Sequence, residues 1–144
     1  MSFSQDLRAY LVSKGPITAA VGQRVYQDDA DQGAQLPYIV FELSGSDPTY
    51  SLSGATGTAV DNYEITAFAA SALRADQVAD AVRDCLSGYN AGMGRERTSV
   101  CALIVDRNSG YEPPDDGSGR GVYFSTTTFS IGHTEPKPLA VPTP

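Results

Sequence analysis

The chain has 144 residues with a formal net charge of −7, and hydrophobic residues make up 41% of it against 19% charged ones. This size and balance predict one globular domain with its own core, and they exclude an intrinsically disordered chain. The acidic charge argues against a protein that grips the outside of a nucleic acid duplex, because such affinity comes from Lys and Arg on phosphates. A channel that surrounds DNA without gripping it stays possible.

The first residues predict three short elements: a helix (5–13), a shorter helix (16–21) and a stub of strand (25–26). Leu7 and Leu11 share one face of the first helix, and Ser4 is placed to cap it. Gly22 can supply the left-handed stop of the second helix. The first helix is therefore predicted to be short and apolar on one side only.

Two strands joined by a long connection follow. Residues 37–44 are dense in β-forming residues, and residues 58–68 alternate between two faces. The stretch 45–57 between them is rich in Ser, Gly and Thr and is broken by Pro, so it is predicted to be a hairpin connection rather than strand. A connection longer than ten residues is unusual and indicates a functional role.

The second half predicts one long helix and two more strands. An apolar stripe with a 3.6-residue period runs along residues 72–89, and Ser71 is placed to cap this helix. Residues 100–105 are almost continuously apolar, which predicts a strand buried on both faces. The remaining segments are predicted to be a connector (90–97), a loop (107–121) and a Thr-rich strand (122–132).

Together these elements predict an α+β fold, with an antiparallel sheet of about four main strands and one long and one or two short helices packed on one face. Residues 1–134 are expected to form a single domain, and the proline-rich residues 135–144 a flexible C-terminal tail. No stretch has the pattern of a secretion signal or the length of a membrane span. We therefore expect a soluble protein that is made in the cytoplasm and has no membrane partner.

No motif predicts a catalytic, cofactor-binding or metal-binding site, so we expect a protein that is not an enzyme and needs no cofactor. His133 is the only histidine and precedes the proline-rich tail, which predicts an ordinary surface residue. The acidic loop that begins at Asp28 and Asp29 lacks the bidentate Glu of a calcium loop. Cys85 and Cys101 fall in apolar stretches, which favours buried free thiols over a disulfide.

Five short motifs occur in a characteristic order along the chain. They are Gly22-x-Arg24-Val25-Tyr26, Leu36-Pro37-Tyr38-Ile39-Val40-Phe41, Tyr50-Ser51-Leu52-Ser53-Gly54, the strand at 63–68, and the helix end Leu86-Ser87-Gly88. In this order the chain, from about Leu7 to Ile131, resembles the tail-completion family of long-tailed phages and prophages, the tail terminators or tail-to-head joining proteins.

The resemblance implies a structural assembly protein in the tail or neck of a virion. In that family the protein caps the finished tail tube, commonly as a hexameric ring, and presents the surface that docks onto the filled head. The implied partners are other copies of the chain, the tail tube protein and head-completion or connector proteins, and DNA could pass through the ring without specific binding. Another neck or tube component, such as a head-completion protein or a tube subunit, stays an alternative, and so does a small-ligand binding module.

Tyrosines in the two predicted loops are candidates for contacts with partners. Tyr50 in the loop 45–57 and Tyr111 in the loop 107–121 lie in polar surroundings, and Tyr is enriched at protein interfaces. Each ring could instead cover its own loop. In a ring-forming protein these loops are expected to contact neighbouring subunits or the tube. The predicted interface residues are Asp47, Tyr50, Leu52, Tyr111 and Arg120.

Overall fold

The computed structural model of the protein describes residues 3–29, 35–51, 54–93, 97–112 and 121–134. In chain order its elements are α1 (Phe3–Val12), α2 (Gly15–Val21), β1 (Val25–Gln27), β2 (Tyr38–Ser51), β3 (Gly54–Ala69), α3 (Ala72–Leu86), β4 (Asn90–Met93), β5 (Arg97–Glu112) and β6 (Val122–Thr134). The predicted C-terminal tail, residues 135–144, lies outside the described residues. Among the described helices, none has the length and apolar character needed to cross a membrane.

The strands form one sheet in the order β1-β2-β3-β6-β5-β4. All neighbouring strands are antiparallel except β1, which runs parallel to β2. The predicted α+β class is confirmed, although the sheet has six strands and is mixed. The prediction of a connector at 90–97 was wrong in part. Strand β4 forms there, although it contains few β-forming residues. Its pairing with β5, Asn90 opposite Cys101, holds it in the sheet.

The core lies between one face of the sheet and all three helices, as predicted. The strand registers place buried side chains directly opposite each other, for example Phe41 opposite Ile65 and Tyr63 opposite Phe129. The helices cover these residues with their own buried apolar side chains, which are Leu7, Leu11, Ile17, Val21, Ala75, Val78, Ala79, Val82 and Leu86. Each fully buried Leu, Ile or Phe contributes about 1.5–3 kcal/mol relative to an exposed position.

Local signals set most of the helix ends. The side chain of Ser71 accepts a hydrogen bond from the Arg74 backbone N–H at 3.2 Å, which confirms the predicted cap of α3. Gly22 follows α2 with a φ of +60°, in the left-handed region, as predicted. The predicted cap at Ser4 was wrong, because Ser4 lies inside α1. Its hydroxyl is buried and shares a hydrogen bond with the Tyr63 hydroxyl at 2.7 Å.

The connection predicted at 45–57 was also wrong, because most of it is strand. Strands β2 and β3 stay paired as far as Tyr50 opposite Ala55 and Ser51 opposite Gly54. The hydrogen bonds of this pairing join backbone groups, so the Ser-, Gly- and Thr-rich sequence of the arm does not indicate it. Pro48 is tolerated because β2 pairs with β1 only at residues 39–41, which leaves Pro48 on an open edge. The loop predicted at 107–121 shortens in the same way, since β5 continues to Glu112.

The burial predicted for both faces of residues 100–105 was wrong. Ala102 is fully buried, but Leu103 is 57% exposed and Val105 63% exposed. The reason is geometric: the helices cover one sheet face only, and a β-bulge between Ile104 and Asp106 interrupts the register at Val105. We call the uncovered sheet face, opposite the helices, the outer face. Leu103 lies on it, because its neighbour Ala102 is buried in the core.

His133 was predicted to be a surface residue, and this was wrong as well. Strand β6 continues through His133, beside Ala59 of β3, and buries the imidazole almost completely. The Nε2–H of His133 donates to the Asp61 carboxylate at 2.7 Å, and Asp61 is itself only 6% exposed. Removing one partner of a buried polar pair destabilises the fold, because the other partner stays buried without this hydrogen bond.

Removing one member of this pair should therefore destabilise the fold. We expect Asp61→Ala to lower the free energy of unfolding by about 1–3 kcal/mol, because the buried imidazole loses this acceptor. Asp84→Ala is the matched control: its side chain is 70% exposed and lies 3.8 Å from Arg83, so the expected change is below about 1 kcal/mol. Urea unfolding measures both. Equal effects of the two substitutions would show that Asp61 does not form a buried hydrogen bond with His133.

Adjacent threonines on β6 offer a second test of the packing. The hydroxyl of Thr127 is buried under the helices and has no hydrogen-bond partner among the described residues, whereas Thr126 bonds Thr66 across the outer face at 2.9 Å. We expect Thr127→Val to raise the free energy of unfolding by about 1 kcal/mol and Thr126→Val to lower it by a similar amount. If Thr127→Val is as destabilising as Thr126→Val in urea unfolding, the Thr127 hydroxyl has a partner.

Candidate interaction surfaces

The structure divides the predicted interface residues between two opposite ends of the sheet. Asp47 and Tyr50 lie on β2, where Tyr50 pairs with Ala55 of β3. Tyr111 lies on β5 and pairs with Tyr123, which pairs in turn with Ala69 of β3. Ala55 and Ala69 are fourteen residues apart on the same strand, a distance of about 45 Å at about 3.3 Å per residue. Leu52 and Arg120 lie outside the described residues.

Each end of the sheet has its own set of chain connections. At the first end, which we call the hairpin end, lie the turn between β2 and β3, the turn between β4 and β5, and the last residue of β6, Thr134. At the second end, the Tyr111 end, lie the connection between β5 and β6 and the start of β2 at Tyr38. The protein thus presents two different groups of connections along one axis of the sheet.

Tyr111 combines a local contact with an exposed surface. Its ring packs on Tyr123 with centroids 4.8 Å apart, and its hydroxyl accepts a hydrogen bond from the Gly121 backbone N–H at 3.1 Å. A Cβ at position 121 would collide with the Glu112 carbonyl and the Tyr111 ring, so glycine is required there. Half of the Tyr111 side chain still faces solvent. The ring therefore covers its own hairpin and leaves area for a partner.

Exposed apolar residues on β5 form a second candidate surface. Leu103, Ile104 and Val105, which we call the β5 apolar strip, are all exposed by more than a third of their surface. On the outer face Leu103 is opposite Ser130, and none of the described elements covers it. Ile104 is opposite the buried Phe129 and so lies on the helical face, whereas Leu103 lies on the outer face. Exposed apolar side chains close together on one strand are candidates for an interaction site. The uninterrupted apolar run at 102–105 was the sequence signal, but it was interpreted as a sign of burial.

A groove of about 300 Å³ opens at the Tyr111 end, and its walls are aromatic and acidic. The rings of Tyr38 and Phe68 stack at 5.1 Å with an interplanar angle of 28°, and Phe124 follows at 6.3 Å from Phe68. Carboxylates come from the turn after β1 and from two strands. The groove is lined by Asp28, Asp29, Tyr38, Val40, Glu42, Thr66, Phe68 and Glu112.

The electrostatics of this groove are unbalanced. Glu42 of β2 pairs in register with Glu64 of β3, and like charges directly opposite each other are unfavourable. Burial raises the pKa of Glu42, and the hydrogen bond and negative charge of Glu64 and the charge of Asp28 raise it further. Burial also raises the pKa of Tyr38, with added contributions from the charges of Glu112 and Asp29. No Lys or Arg is among the described residues that line this groove.

A second, wider groove between α3 and β5 has balanced charges. Arg107 pairs with Asp80 at 2.9 Å, and Arg83 approaches Asp80 at 3.7 Å and Asp84 at 3.8 Å. These ion pairs are exposed and each contributes about 0–1 kcal/mol. Because its charges satisfy each other, this groove gives no indication of a bound ligand.

The described residues do not bring together a catalytic or metal-binding group. No cluster of three or more His, Cys, Asp or Glu side chains could hold a metal ion in this part of the chain. The imidazole of His133 is enclosed by the core rather than open to a cleft. Cys85 is a free, half-buried thiol, and burial raises its pKa, which makes it less reactive. The side chain of Cys101 lies outside the described set.

Comparisons with known proteins identify the family of the chain. The family model described as tail completion protein gp17 matches residues 5–119. A chain of the solved "Virion of native gene transfer agent (GTA) particle" is 21% identical to this chain over 90% of both, with a TM-score of 0.57, which shows a shared fold. No curated protein matches. Because the family match spans most of the sequence, the chain belongs to the tail completion protein gp17 family and is a structural protein of a phage-like tail.

Proposed function

We propose that this protein caps the tail tube as a closed ring, commonly six subunits in the family that the sequence resembles, and forms part of the junction between tail and head. The two ends of the sheet are the observation that carries the proposal. They are about 45 Å apart and differ in their connections, so one end can bind the tube while the other binds a head-proximal protein.

Closure into a ring requires lateral contacts between copies. In a head-to-tail ring every subunit uses two different surfaces, and a rotation that closes prevents a filament. The β5 apolar strip supports a role as one of these surfaces, because it is exposed in the single chain and lies between the two ends rather than at either of them. Burying it against a neighbour removes apolar area from water, the main favourable term in most protein association.

The charge of the protein supports passage of DNA rather than DNA binding. The net charge is −7, and like charge on a channel wall disfavours adhesion of phosphates. DNA leaving the head could therefore move through a ring of these subunits without being held. The same charge gives no support to a clamp on duplex DNA, which would need clustered Lys and Arg.

The ring and its lateral surface can be tested together. Light scattering of the purified protein should give the mass of a closed ring, about 91 kDa for six chains of 15.2 kDa. With tail tubes added, the mass gained by the tubes should correspond to the same number of chains at each capped end. We expect Leu103→Glu with Val105→Glu to leave the fold intact and to return the protein to a monomer, because two charges would be buried at each contact.

Leu73→Glu is the control for this experiment. Leu73 is 69% exposed on α3, so the same change tests charge and lost apolar area away from the strip. We expect the Leu73 variant to keep the ring mass. A wild-type monomer that is indifferent to tubes, or equal loss of mass in both variants, would contradict the proposal.

The separate roles of the two ends give a further prediction. Replacing residues 49–58 with Asn-Gly shortens the hairpin arm and keeps Pro48 opposite Ala59 around a two-residue turn. Tyr111→Ala changes only the other end. We expect each variant to fold and to lose binding to one partner only, either purified tubes or DNA-filled heads, at least tenfold. Loss of the same partner in both variants would show that the two ends do not have separate roles.

A further inference from the structure

None of the described elements covers the outer face of the sheet, and the charged residues described in its groove at the Tyr111 end are all acidic. Asp28, Asp29, Glu42 and Glu112 converge on the groove described above, and Glu64 lies directly opposite Glu42. These residues come from the turn after β1 and from three different strands, so only the folded sheet brings them together. The isolated protein thus maintains an unfavourable concentration of negative charge beside an open cavity.

The aromatic wall of the groove supplies a second kind of recognition. Tyr38 and Phe68 are stacked and only half-buried, and Tyr26 contacts Tyr38 edge-on at 6.0 Å. The face of an aromatic ring attracts a cation, with Arg guanidinium groups stacking especially well. Carboxylates add charge-assisted hydrogen bonds to the same group. Aromatic faces and carboxylates around one cavity are complementary to an Arg or Lys side chain.

We propose that this groove is a docking site for a basic side chain on a different protein of the tail or neck, carried by a loop or strand that lies against the outer face. The charge complementarity identifies the class of partner. A nucleic acid would be repelled by the same carboxylates, and the described residues offer no metal-binding cluster. The inference does not depend on closure into a ring, because the groove is formed entirely within one chain.

The charges of the chain itself argue against a second copy as the occupant. Each Lys or Arg whose side chain the structure describes already interacts within its own chain: Arg8 with the carbonyls of Gln23 and Val25, Lys14 with the Tyr10 ring, Arg24 with the Pro37 carbonyl, Arg74 with Gln77, and Arg83 and Arg107 with Asp80. Two copies also carry the same net charge of −7. A basic partner of another kind is therefore the better electrostatic match.

The groove can be tested directly with a small cationic probe. N-acetyl-L-argininamide is titrated into the isotope-labelled full chain, and amide shifts are followed by NMR, with neutral N-acetyl-L-citrullinamide as the matched probe. We expect localised shifts at Tyr38, Thr66 and Phe68 with the arginine probe only. Glu42→Gln with Glu112→Gln should weaken binding at least fivefold, whereas Asp76→Asn with Asp84→Asn on α3 should leave it unchanged. Shifts that spread equally over α3, that persist in the groove variant, or that are absent would overturn the proposal.

An assembly experiment identifies the occupant. Full-length protein with Glu42→Gln and Glu112→Gln is added to tails that lack the native protein, and its incorporation and the joining of heads are counted. We expect at least a tenfold loss in one of these two steps with no change in the mass found by light scattering. A changed mass would assign the groove to a second copy and overturn the partner proposed here, and unchanged assembly would overturn it too. Failure of the ring proposal would give a different result: the wild-type protein would not have the mass of a ring, whereas the arginine titration would be unaffected.

Discussion

The rest of the structure depends on one constraint: all three helices pack on the same face of a single sheet. The long apolar stripe of α3 and the shorter helices bury Phe41, Tyr63 and Phe129, and nothing described in the chain covers the opposite face. A sheet of this kind is half buried, and the residues of its second face are free to specify contacts. The exposed Leu103, the acidic groove and the two distant hairpin connections all follow from this arrangement.

The elements with strictly local signals could be predicted from sequence. The 3.6-residue stripe of α3 and the cap at Ser71 lie within one stretch of chain, and Gly22 is where a left-handed residue is needed. Strand lengths could not be predicted, because the pairing of the arm from Ser46 to Ser51 with β3 is a backbone pattern that its Ser-, Gly- and Pro-containing sequence does not indicate. Residues 102–105 were misinterpreted because an apolar run indicates burial without saying whether the covering surface belongs to the same chain.

Long-range pairing explains the remaining differences at the candidate sites. His133 and Asp61 are 72 residues apart, and only the register of β3 with β6 brings them together, so neither residue has a local signal. The groove has the same origin, since its carboxylates come from the turn after β1 and from separate strands, so no local pattern marks them as one group. Of the predicted interface residues, Asp47 and Tyr50 are placed at one end of the sheet and Tyr111 at the other, a separation that the sequence did not suggest.

The central claim is that the outer face and the ends of the sheet meet partners, whereas the helical face serves the fold. Hydrogen exchange of the protein alone and in completed tails tests this most directly, because amides protected on assembly report where partners lie. The account predicts added protection along β5 and in the turns at both ends of the sheet, with α3 exchanging at the same rate in both states. Added protection on α3 with an unchanged sheet would contradict it.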